Sequence, residues 1–422
     1  MLPYLVAFGA SAGVAFVATP LVRRLSLRAG WIDHPSDRKV HPRPTPTAGG
    51  LAIFAGVVAG LAAARALPSL AGLRETTSIL EATLISAVVI VVVGLIDDTR
   101  GLSPLAKLAG QVLSAGLLVL AGVQLLYFYF PGQGVLSLSP DLAVPLTVLW
   151  IAGMVNAVNL IDGLDGLAAG MVAIGAIAFF VYMTLGPTAS SEPTTAALLS
   201  AIAAGAAIGF LPWNFFPAKI FMGDTGSGLL GLMMAVATIA GVGRNPFPPS
   251  GGDLAAVAIP IALPLLVLAI PLLDVALAIV RRMRRGLGIH HADKDHIHHR
   301  LMDIGHSQRQ AVLLMYLWSA LISVSALAVA FIDGRLLVIG IVAGAMLVAT
   351  VLPRLIRDRS PRGSDAAPRG GRTGAAVGSA PMEAIGAAEL AGPPAAAAEG
   401  GSAEAAIGDG IEARAEPDAA SG

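Results

Sequence analysis

Eleven apolar stretches, most of them near 20 residues long, dominate this sequence and constrain its fold more than any other feature. A helix needs roughly 20 apolar residues to cross the hydrocarbon core of a bilayer, and lipid offers the backbone no hydrogen-bonding partners. Charged residues make up only 13% of the chain, against about 25% in soluble domains. The sequence therefore predicts an all-α, polytopic membrane protein of about 11 transmembrane helices. The predicted spans cover residues 2–22, 50–67, 79–96, 105–123, 143–160, 167–185, 195–212, 226–243, 254–280, 311–332 and 335–353.

Basic residues in the loops between these spans predict the orientation, because cytoplasmic loops carry an excess of Lys and Arg. In one set of alternate loops, the basic residues are Arg74 and Arg244 alone. The other set holds fifteen basic residues, namely Arg23, Arg24, Arg28, Arg38, Lys39, Arg43, Arg100, Lys219, Arg281, Arg282, Arg284, Arg285, Lys294, Arg300 and Arg309. We therefore expect the second set inside the cell and the N-terminus outside.

The composition changes after the last predicted span. Residues 354–422 are rich in Ala, Gly, Pro, Ser and Glu and carry few large apolar side chains. Such a segment cannot bury enough apolar surface to offset the entropy of ordering it. The domain prediction is thus a transmembrane domain over 1–353 and a disordered cytoplasmic tail over 354–422.

Net charge and cysteine content exclude several classes of function. The formal net charge is zero, so no global field favours nucleic acid. The chain has no cysteine, which excludes disulfides, thiolate catalysis and cysteine metal sites.

Two adjacent acids, Asp97 and Asp98, end the third predicted span, in the segment GLIDDTRGL. A charge at membrane depth costs about 2.5–3.5 kcal/mol on insertion scales, which favours a functional role. Neighbours on a helix point about 100° apart, so the two acids should serve different partners. Lys107 and Gln111 follow, four residues apart, and should share one helix face.

Amides and acids cluster again where the fifth span ends, in NAVNLIDGLDG. Asn156, Asn159 and Asp162 are spaced by three and would line one face if the helix continued that far. Asp165, after a glycine turn, is placed to cap the next span.

The segment from Lys219 to Gly228, KIFMGDTGSG, predicts a helix beginning on the cytoplasmic side. A helix N-terminus attracts anions through its free N–H groups and its dipole. The acid Asp224 at this position instead favours a bridging cation. Phe221 could stack on a base, although core packing is the stronger explanation for a single Phe.

Histidines and basic residues mark two further cytoplasmic loops. The first contains Lys39 and His41, and the other contains HADKDHIHHR over residues 291–300. These residues suit phosphate groups. A transition-metal site is the alternative for the histidines, but Lys294 and Arg300 among such ligands would oppose a cation.

One kind of chemistry accommodates all these segments. Oxygen ligands without thiols suit Mg²⁺, which commonly bridges substrate phosphates, and Mn²⁺ is a substitute. Lys, Arg and His would gather the negative oxygens, as phosphoryl transfer requires. A site at the membrane predicts a lipid as one substrate, and its cytoplasmic face predicts a soluble, nucleotide-activated donor as the other.

Four of these segments resemble motifs of the polyprenyl-phosphate N-acetylhexosamine-1-phosphate transferases, in the same order along the chain. They are GLIDDTRGLSPLAKLAGQ, NAVNLIDGLDGLAAG, FMGDTGSGLLG and HADKDHIHHRLMDIGHSQRQAV, and the similarity covers roughly residues 20–350. The resemblance implies that a UDP-sugar and polyprenyl phosphate react to give polyprenyl-diphospho-sugar and UMP at the plasma membrane. It leaves open a homodimer, and both direct attack and a covalent aspartyl intermediate.

The resemblance also implies roles for particular residues. Asp97 and Asp98 would be catalytic, Asp97 acting on the lipid phosphate and Asp98 supporting the site. Asp224 and Asn159 would hold Mg²⁺, and Phe221 would lie near the nucleobase. The substrate- and phosphate-binding set is Lys39, His41, Lys107, Asn156, Asp162, Asp165, Lys219, Phe221, His296, His298, His299 and Arg300.

The histidine loop bears on the sugar donor. Muramyl-pentapeptide transferases share a Phe-flanked run of three histidines, whereas this chain has His296-Ile297-His298-His299-Arg300. This pattern and the Asp37-Arg38-Lys39 loop resemble the N-acetylglucosamine branch, so we expect UDP-N-acetylglucosamine as donor. The muramyl-pentapeptide donor is the alternative.

A secondary transporter is the alternative from another class, because intramembrane acids also mark ion paths. Transport sites lie near the midplane, often between paired repeats. Here the acids lie at span ends on one side, which favours the enzyme.

Overall fold

A computed structural model describes residues 1–35, 43–70, 77–130, 134–186, 189, 194–243, 265 and 307–331. Its helices are α1 (Leu2–Ala29), α2 (Gly50–Ala66), α3 (Thr77–Arg100), α4 (Pro104–Leu120), α5 (Pro140–Ile161), α6 (Leu167–Leu185), α7 (Thr195–Asn214), α8 (Gly223–Thr238) and α9 (Gln308–Phe331). A 3₁₀ turn covers Pro68–Leu70, and a π-helical turn, Ile239–Gly243, continues α8.

Seven of the helices in the described part are long and apolar enough to cross a bilayer, and α2 and α4 are shorter apolar helices of 17 residues. The prediction of a mainly helical, multi-pass membrane protein is confirmed. Nine predicted spans coincide with described helices to within five residues at each end, except that α1 continues to Ala29, seven residues beyond its prediction. The spans 254–280, apart from residue 265, and 335–353 lie outside the described residues. The tail at 354–422, Lys39, His41 and the histidine loop also lie outside them.

Two short antiparallel hairpins were not predicted. β1 (Ile32–Asp33) pairs with β2 (Thr45–Pro46), and β3 (Tyr127–Phe130) pairs with β4 (Gly134–Ser137). The strands are only two and four residues long, too short for an alternating pattern to stand out in the sequence.

Helix α8 lies at the centre and packs against α2, α3, α5 and α7. Glycines allow this close approach, as small residues commonly do between membrane helices. A Cβ atom on Gly94 of α3 would lie 2.5 Å from the Cα of Thr225, and one on Gly231 would lie 2.7 Å from the carbonyl oxygen of Met154. Neither position has room for a side chain.

The segment leading into α2 holds the start of α8 in place. The backbone N–H of Phe221 donates to Pro46 O at 2.8 Å, and those of Gly49 and Gly50 donate to Phe221 O and Met222 O at 2.9 Å each. Backbone hydrogen bonds alone thus fix the beginning of α8, without help from the side chains of the site.

Candidate active site

Asp97 and Asp98 lie in the last turn of α3 and turn toward different helices, as predicted from their adjacency. Asp97 Oδ1 accepts a 2.7 Å hydrogen bond from the backbone N–H of Leu102 and thereby closes the short turn between α3 and α4. Its Oδ2 pairs with Lys107 Nζ at 2.5 Å.

Lys107 lies between two carboxylates. Its ammonium group contacts Asp97 at 2.5 Å and Asp224 Oδ2 at 2.6 Å. The lysine comes from the first turn of α4 and Asp224 from the first turn of α8. Three helix ends are therefore joined by one cation.

Asp224 is also held on its other oxygen. Asn159 Nδ2, from the last turn of α5, donates to Asp224 Oδ1 at 2.8 Å and lies 3.1 Å from the Ser227 hydroxyl. That hydroxyl in turn donates to Gly223 O at 3.0 Å. These contacts orient the carboxylate toward Lys107.

Asp98 caps the N-terminus of α8. Its oxygens accept from the backbone N–H of Asp224 at 2.7 Å, from the N–H of Thr225 at 3.2 Å and from the Thr225 hydroxyl at 2.6 Å. Gly223, at φ 70°, leaves the space that this carboxylate fills. The N–H groups that attract an anion at this helix N-terminus are thus bound by a side chain of the protein itself, and these two groups have no room for a phosphate.

One helical turn deeper, Gln111 and Asn156 form a reciprocal amide pair between α4 and α5. Asn156 Nδ2 donates to Gln111 Oε1 at 2.7 Å, and Gln111 Nε2 lies 3.3 Å from Asn156 Oδ1. The pair forms part of a cleft whose remaining lining residues are Ile90, Val93, Gly94, Asp97, Lys107, Val155, Asn159, Asp224 and Gly228.

Asp162 does not join Asn156 and Asn159 on one helix face, because α5 ends at Ile161 and Asp162 is its C-cap. Burial, and then repulsion from Asp98, Asp224 and Asp165, raises the pKa of Asp162 to about 8. A carboxyl with this pKa is largely protonated at neutral pH.

The expectation that Asp165 caps the next span is wrong. Gly166, at φ 79°, is the N-cap of α6, while Asp165 Oδ2 accepts from the N–H of Ala218 at 2.9 Å. Buried Asn214 accepts from the N–H of Gly166 at 3.1 Å, and the Tyr316 hydroxyl donates to Gly166 O. Asp165 therefore ties the turn before α6 to the segment that leads into α8.

Lys219 and Phe221 lie beside the acid cluster in sequence, but their described contacts are elsewhere. The Lys219 ammonium lies 5.0 Å above the ring of Trp213. Phe221 uses its backbone N–H and carbonyl to bind the segment before α2.

The donor set fits a hard cation such as Mg²⁺, although it is not a preformed cage. In the described ranges, no group of three His, Cys, Asp or Glu side chains converges as a metal site requires. Mg²⁺ in phosphate-transfer sites often takes only one or two carboxylates and completes its shell with water and phosphate oxygens. The Lys107 ammonium already marks a position where two carboxylates attract positive charge.

Sequence reasoning missed the roles of Thr225, Ser227 and Asn214. Thr225 and Ser227 stand in the GDTGSG segment beside Asp224, and hydroxyls in a first helical turn could have suggested them. No sequence pattern could have indicated the role of Tyr316, because its hydrogen-bond partner Gly166 lies 150 residues earlier in the chain.

Comparison with known proteins supports this picture. The family model of glycosyl transferase family 4 matches residues 80–242. The decaprenyl-phosphate N-acetylglucosaminephosphotransferase of Mycolicibacterium smegmatis (strain ATCC 700084 / mc(2)155) is 40% identical over 354 residues, which is 82% of this chain and 87% of the relative.

Two further relatives bear on the sugar. A probable undecaprenyl-phosphate N-acetylglucosaminyl 1-phosphate transferase of Bacillus subtilis (strain 168) is 39% identical over 327 residues, 78% of this chain and 85% of the relative. The phospho-N-acetylmuramoyl-pentapeptide-transferase of the same M. smegmatis strain is 37% identical over 276 residues, 56% of this chain and 75% of the relative. Together with the carboxylate cluster at the helix ends, these matches show that the chain belongs to the polyprenyl-phosphate N-acetylhexosamine-1-phosphate transferase family.

Proposed function

We propose that the protein transfers N-acetylglucosamine 1-phosphate from UDP-N-acetylglucosamine to a polyprenyl phosphate such as undecaprenyl phosphate. The products are polyprenyl-diphospho-N-acetylglucosamine and UMP, in a first membrane step of cell-envelope polysaccharide synthesis. The observation that carries this proposal is the convergence of Asp97, Lys107, Asn159 and Asp224 from four apolar helices. The names of the relatives support a polyprenyl phosphate acceptor and N-acetylglucosamine phosphate as the transferred group, and the motif resemblance supports UDP as the activating group.

The lining of the cleft suits a lipid that carries a phosphate. Asp97 and Lys107 lie at the helix ends, while Ile90, Val93 and Val155 provide apolar walls. A phosphate among the polar groups and a prenyl chain against apolar helix surface would each meet matching chemistry.

In the proposed reaction, an oxygen of the lipid phosphate forms a new bond to the phosphorus that carries the sugar. The bond from that phosphorus to the oxygen of UMP breaks. Asp97 accepts or orients the proton of the lipid phosphate, and Lys107 stabilises the negative oxygens. The remaining phosphate-binding residues proposed from the sequence are Lys39, His41, His296, His298, His299 and Arg300.

Asp224 and Asn159 are the proposed holders of Mg²⁺, or of Mn²⁺ in its place. The two side chains are neighbours, since Asn159 Nδ2 donates to Asp224 Oδ1 at 2.8 Å. The carboxylate of Asp224 and the amide oxygen of Asn159 are both ligands of the kind that Mg²⁺ prefers. When bound, the ion would neutralise charge on the diphosphate. Asp98 is a positioning residue in this scheme, because its hydrogen bonds hold the helix that carries Asp224.

The site is proposed to face the cytoplasm of a plasma-membrane protein with about 11 spans. Its support is the excess of fifteen basic residues over two in alternate loops. The ends of α3 and α5 and the starts of α4 and α8 would then lie on the side where UDP-sugars are made.

The test is a transfer assay on purified protein in detergent with undecaprenyl phosphate, Mg²⁺ and labelled UDP-N-acetylglucosamine. We expect UMP and a labelled lipid. Product with UDP-muramyl-pentapeptide alone would move the protein to the second candidate, which the 37% identical relative favours. No product from either donor would refute the enzyme proposal.

A further inference from the structure

The ammonium of Lys107 occupies the position of a cation between Asp97 and Asp224. It lies 2.5 Å and 2.6 Å from one oxygen of each acid, and its side chain is 33% exposed. Asn159 holds the other oxygen of Asp224 at 2.8 Å, so this carboxylate cannot easily turn away. Two carboxylates thus share a single tethered monovalent cation.

A divalent ion on Asp224 would meet this ammonium at close range. Mg²⁺ lies about 2.0–2.1 Å from its oxygen ligands, and the ammonium lies 2.6 Å from one oxygen of the same carboxylate, so the two cations would stand only a few ångströms apart. Repulsion at about 4 Å is large even at the effective dielectric of a protein surface. Lys107 has a flexible four-carbon stem, which allows its ammonium to leave.

We infer that Lys107 is an internal competitor for the divalent cation. Binding of the cation releases its ammonium, which then becomes available to the diphosphate of the donor. The inference rests on the proposed function for the identity of that diphosphate. Because binding energies are reciprocally linked, cation and nucleotide should each strengthen the binding of the other, and Lys107 should carry part of this coupling.

The first experiment measures Mn²⁺ binding to purified full-length protein by electron paramagnetic resonance, without nucleotide or lipid. Lys107→Met should bind Mn²⁺ at least about tenfold more tightly than the parent, because an opposing charge is removed. Lys107→Arg keeps the charge and should stay near the parent. Arg65→Met is the matched control, since Arg65 pairs with Glu81 at 2.9 Å outside the cluster, and its Mn²⁺ affinity should not change.

Unchanged or weaker Mn²⁺ binding in Lys107→Met, in protein that elutes as a single species, would overturn the inference. So would the absence of Mn²⁺ binding in every variant. In a second arm, Mn²⁺ should tighten the binding of UDP to the parent, and this coupling should shrink in Lys107→Met. Equal coupling in both proteins would count against the release of Lys107.

The two proposals fail in different ways. If the Mn²⁺ affinities are as expected but no transfer to undecaprenyl phosphate occurs, the proposed reaction is refuted and the competition by Lys107 is supported. If transfer occurs but Lys107→Met shows no gain in Mn²⁺ affinity, the competition by Lys107 is refuted and the proposed reaction is supported.

Discussion

Asp98 and Thr225 meet across 127 positions of the chain, and their contact holds α3 to the first turn of α8. We expect Thr225→Val to lower the melting temperature and to reduce the transfer rate about tenfold or more. A hydrogen bond to a charged group contributes roughly 1.5–3 kcal/mol, and its loss lets the helix carrying Asp224 shift. Thr225→Ser keeps the hydroxyl and should retain most of the rate. Equal rates in the Val and Ser variants would contradict a positioning role for Asp98.

Asp224 is the residue on which Lys107 and Asn159 converge. Asp224→Asn should reduce transfer by about a hundredfold or more, since loss of one preorganised electrostatic contact commonly has this effect. It should also remove Mn²⁺ binding, while the protein still elutes as a folded species. Asp141→Asn, in the first turn of α5 at the opposite end of that helix, is the control and should behave like the parent. Retained activity in Asp224→Asn would remove Asp224 from the proposed metal site.

Asp162 gives the stability of the protein a predictable pH dependence. Burial and neighbouring carboxylates raise its pKa to about 8 in the folded state, whereas an unfolded Asp has a pKa of about 3.9. The folded state therefore binds a proton more tightly than the unfolded state. The stability that this protonation contributes is fully present below about pH 4 and is lost as the pH rises through 8. In the presence of a chelator, we expect the melting temperature of Asp162→Asn to exceed that of the parent by a margin that grows from pH 5.5 to pH 8.5. A difference in melting temperature that stays constant across this pH range would rule out the raised pKa of Asp162.

At the scale of elements, the site depends on how closely α3 approaches α8. The Cα of Gly94 faces the backbone of Thr225, and a methyl group there would lie 2.5 Å from the Cα of Thr225. Gly94→Ala should therefore separate the two helices, weaken the Asp98 hydrogen bonds and lower both melting temperature and transfer rate.

Gly116 in α4 is the matched control for this prediction. It is also within a helix, but an added Cβ would meet nothing within 4 Å. Gly116→Ala should leave activity unchanged and could raise stability, because Ala exceeds Gly in helix propensity by about 1 kcal/mol. Similar losses in both variants would mean that helix packing at Gly94 is not the cause.

At the scale of the whole molecule, the orientation can be tested directly because the chain contains no cysteine. Ser103 and Ser139 are matched N-cap residues, at the starts of α4 and α5, on opposite ends of the bundle. In intact cells, a membrane-impermeant maleimide should label Ser139→Cys and should label Ser103→Cys only after permeabilisation. The reverse pattern would invert the proposed topology.

The sequence predicted the described helices well because apolar length and basic flanks are local signals. Each helix from α1 to α9 could be recognised from its own apolar residues and the physics of the bilayer. The side on which Asp97, Asn159 and Asp224 gather followed from the alternation of the spans. The two hairpins escaped prediction because their strands are too short to carry a periodic signal.

The partners inside the site could not be predicted in this way. Asp97 and Asp98 are neighbours with the same chemistry, yet one pairs with Lys107 and the other caps α8. That division depends on the crossing of α3 and α8, which bare glycine surfaces permit and which no local pattern encodes. The sequence by itself determined a multi-pass membrane protein with Asp97, Asn159 and Asp224 at the same end of its described helices. Only the tertiary structure decided that Lys107 stands between two acids, because contacts across 117 positions arise from helix packing.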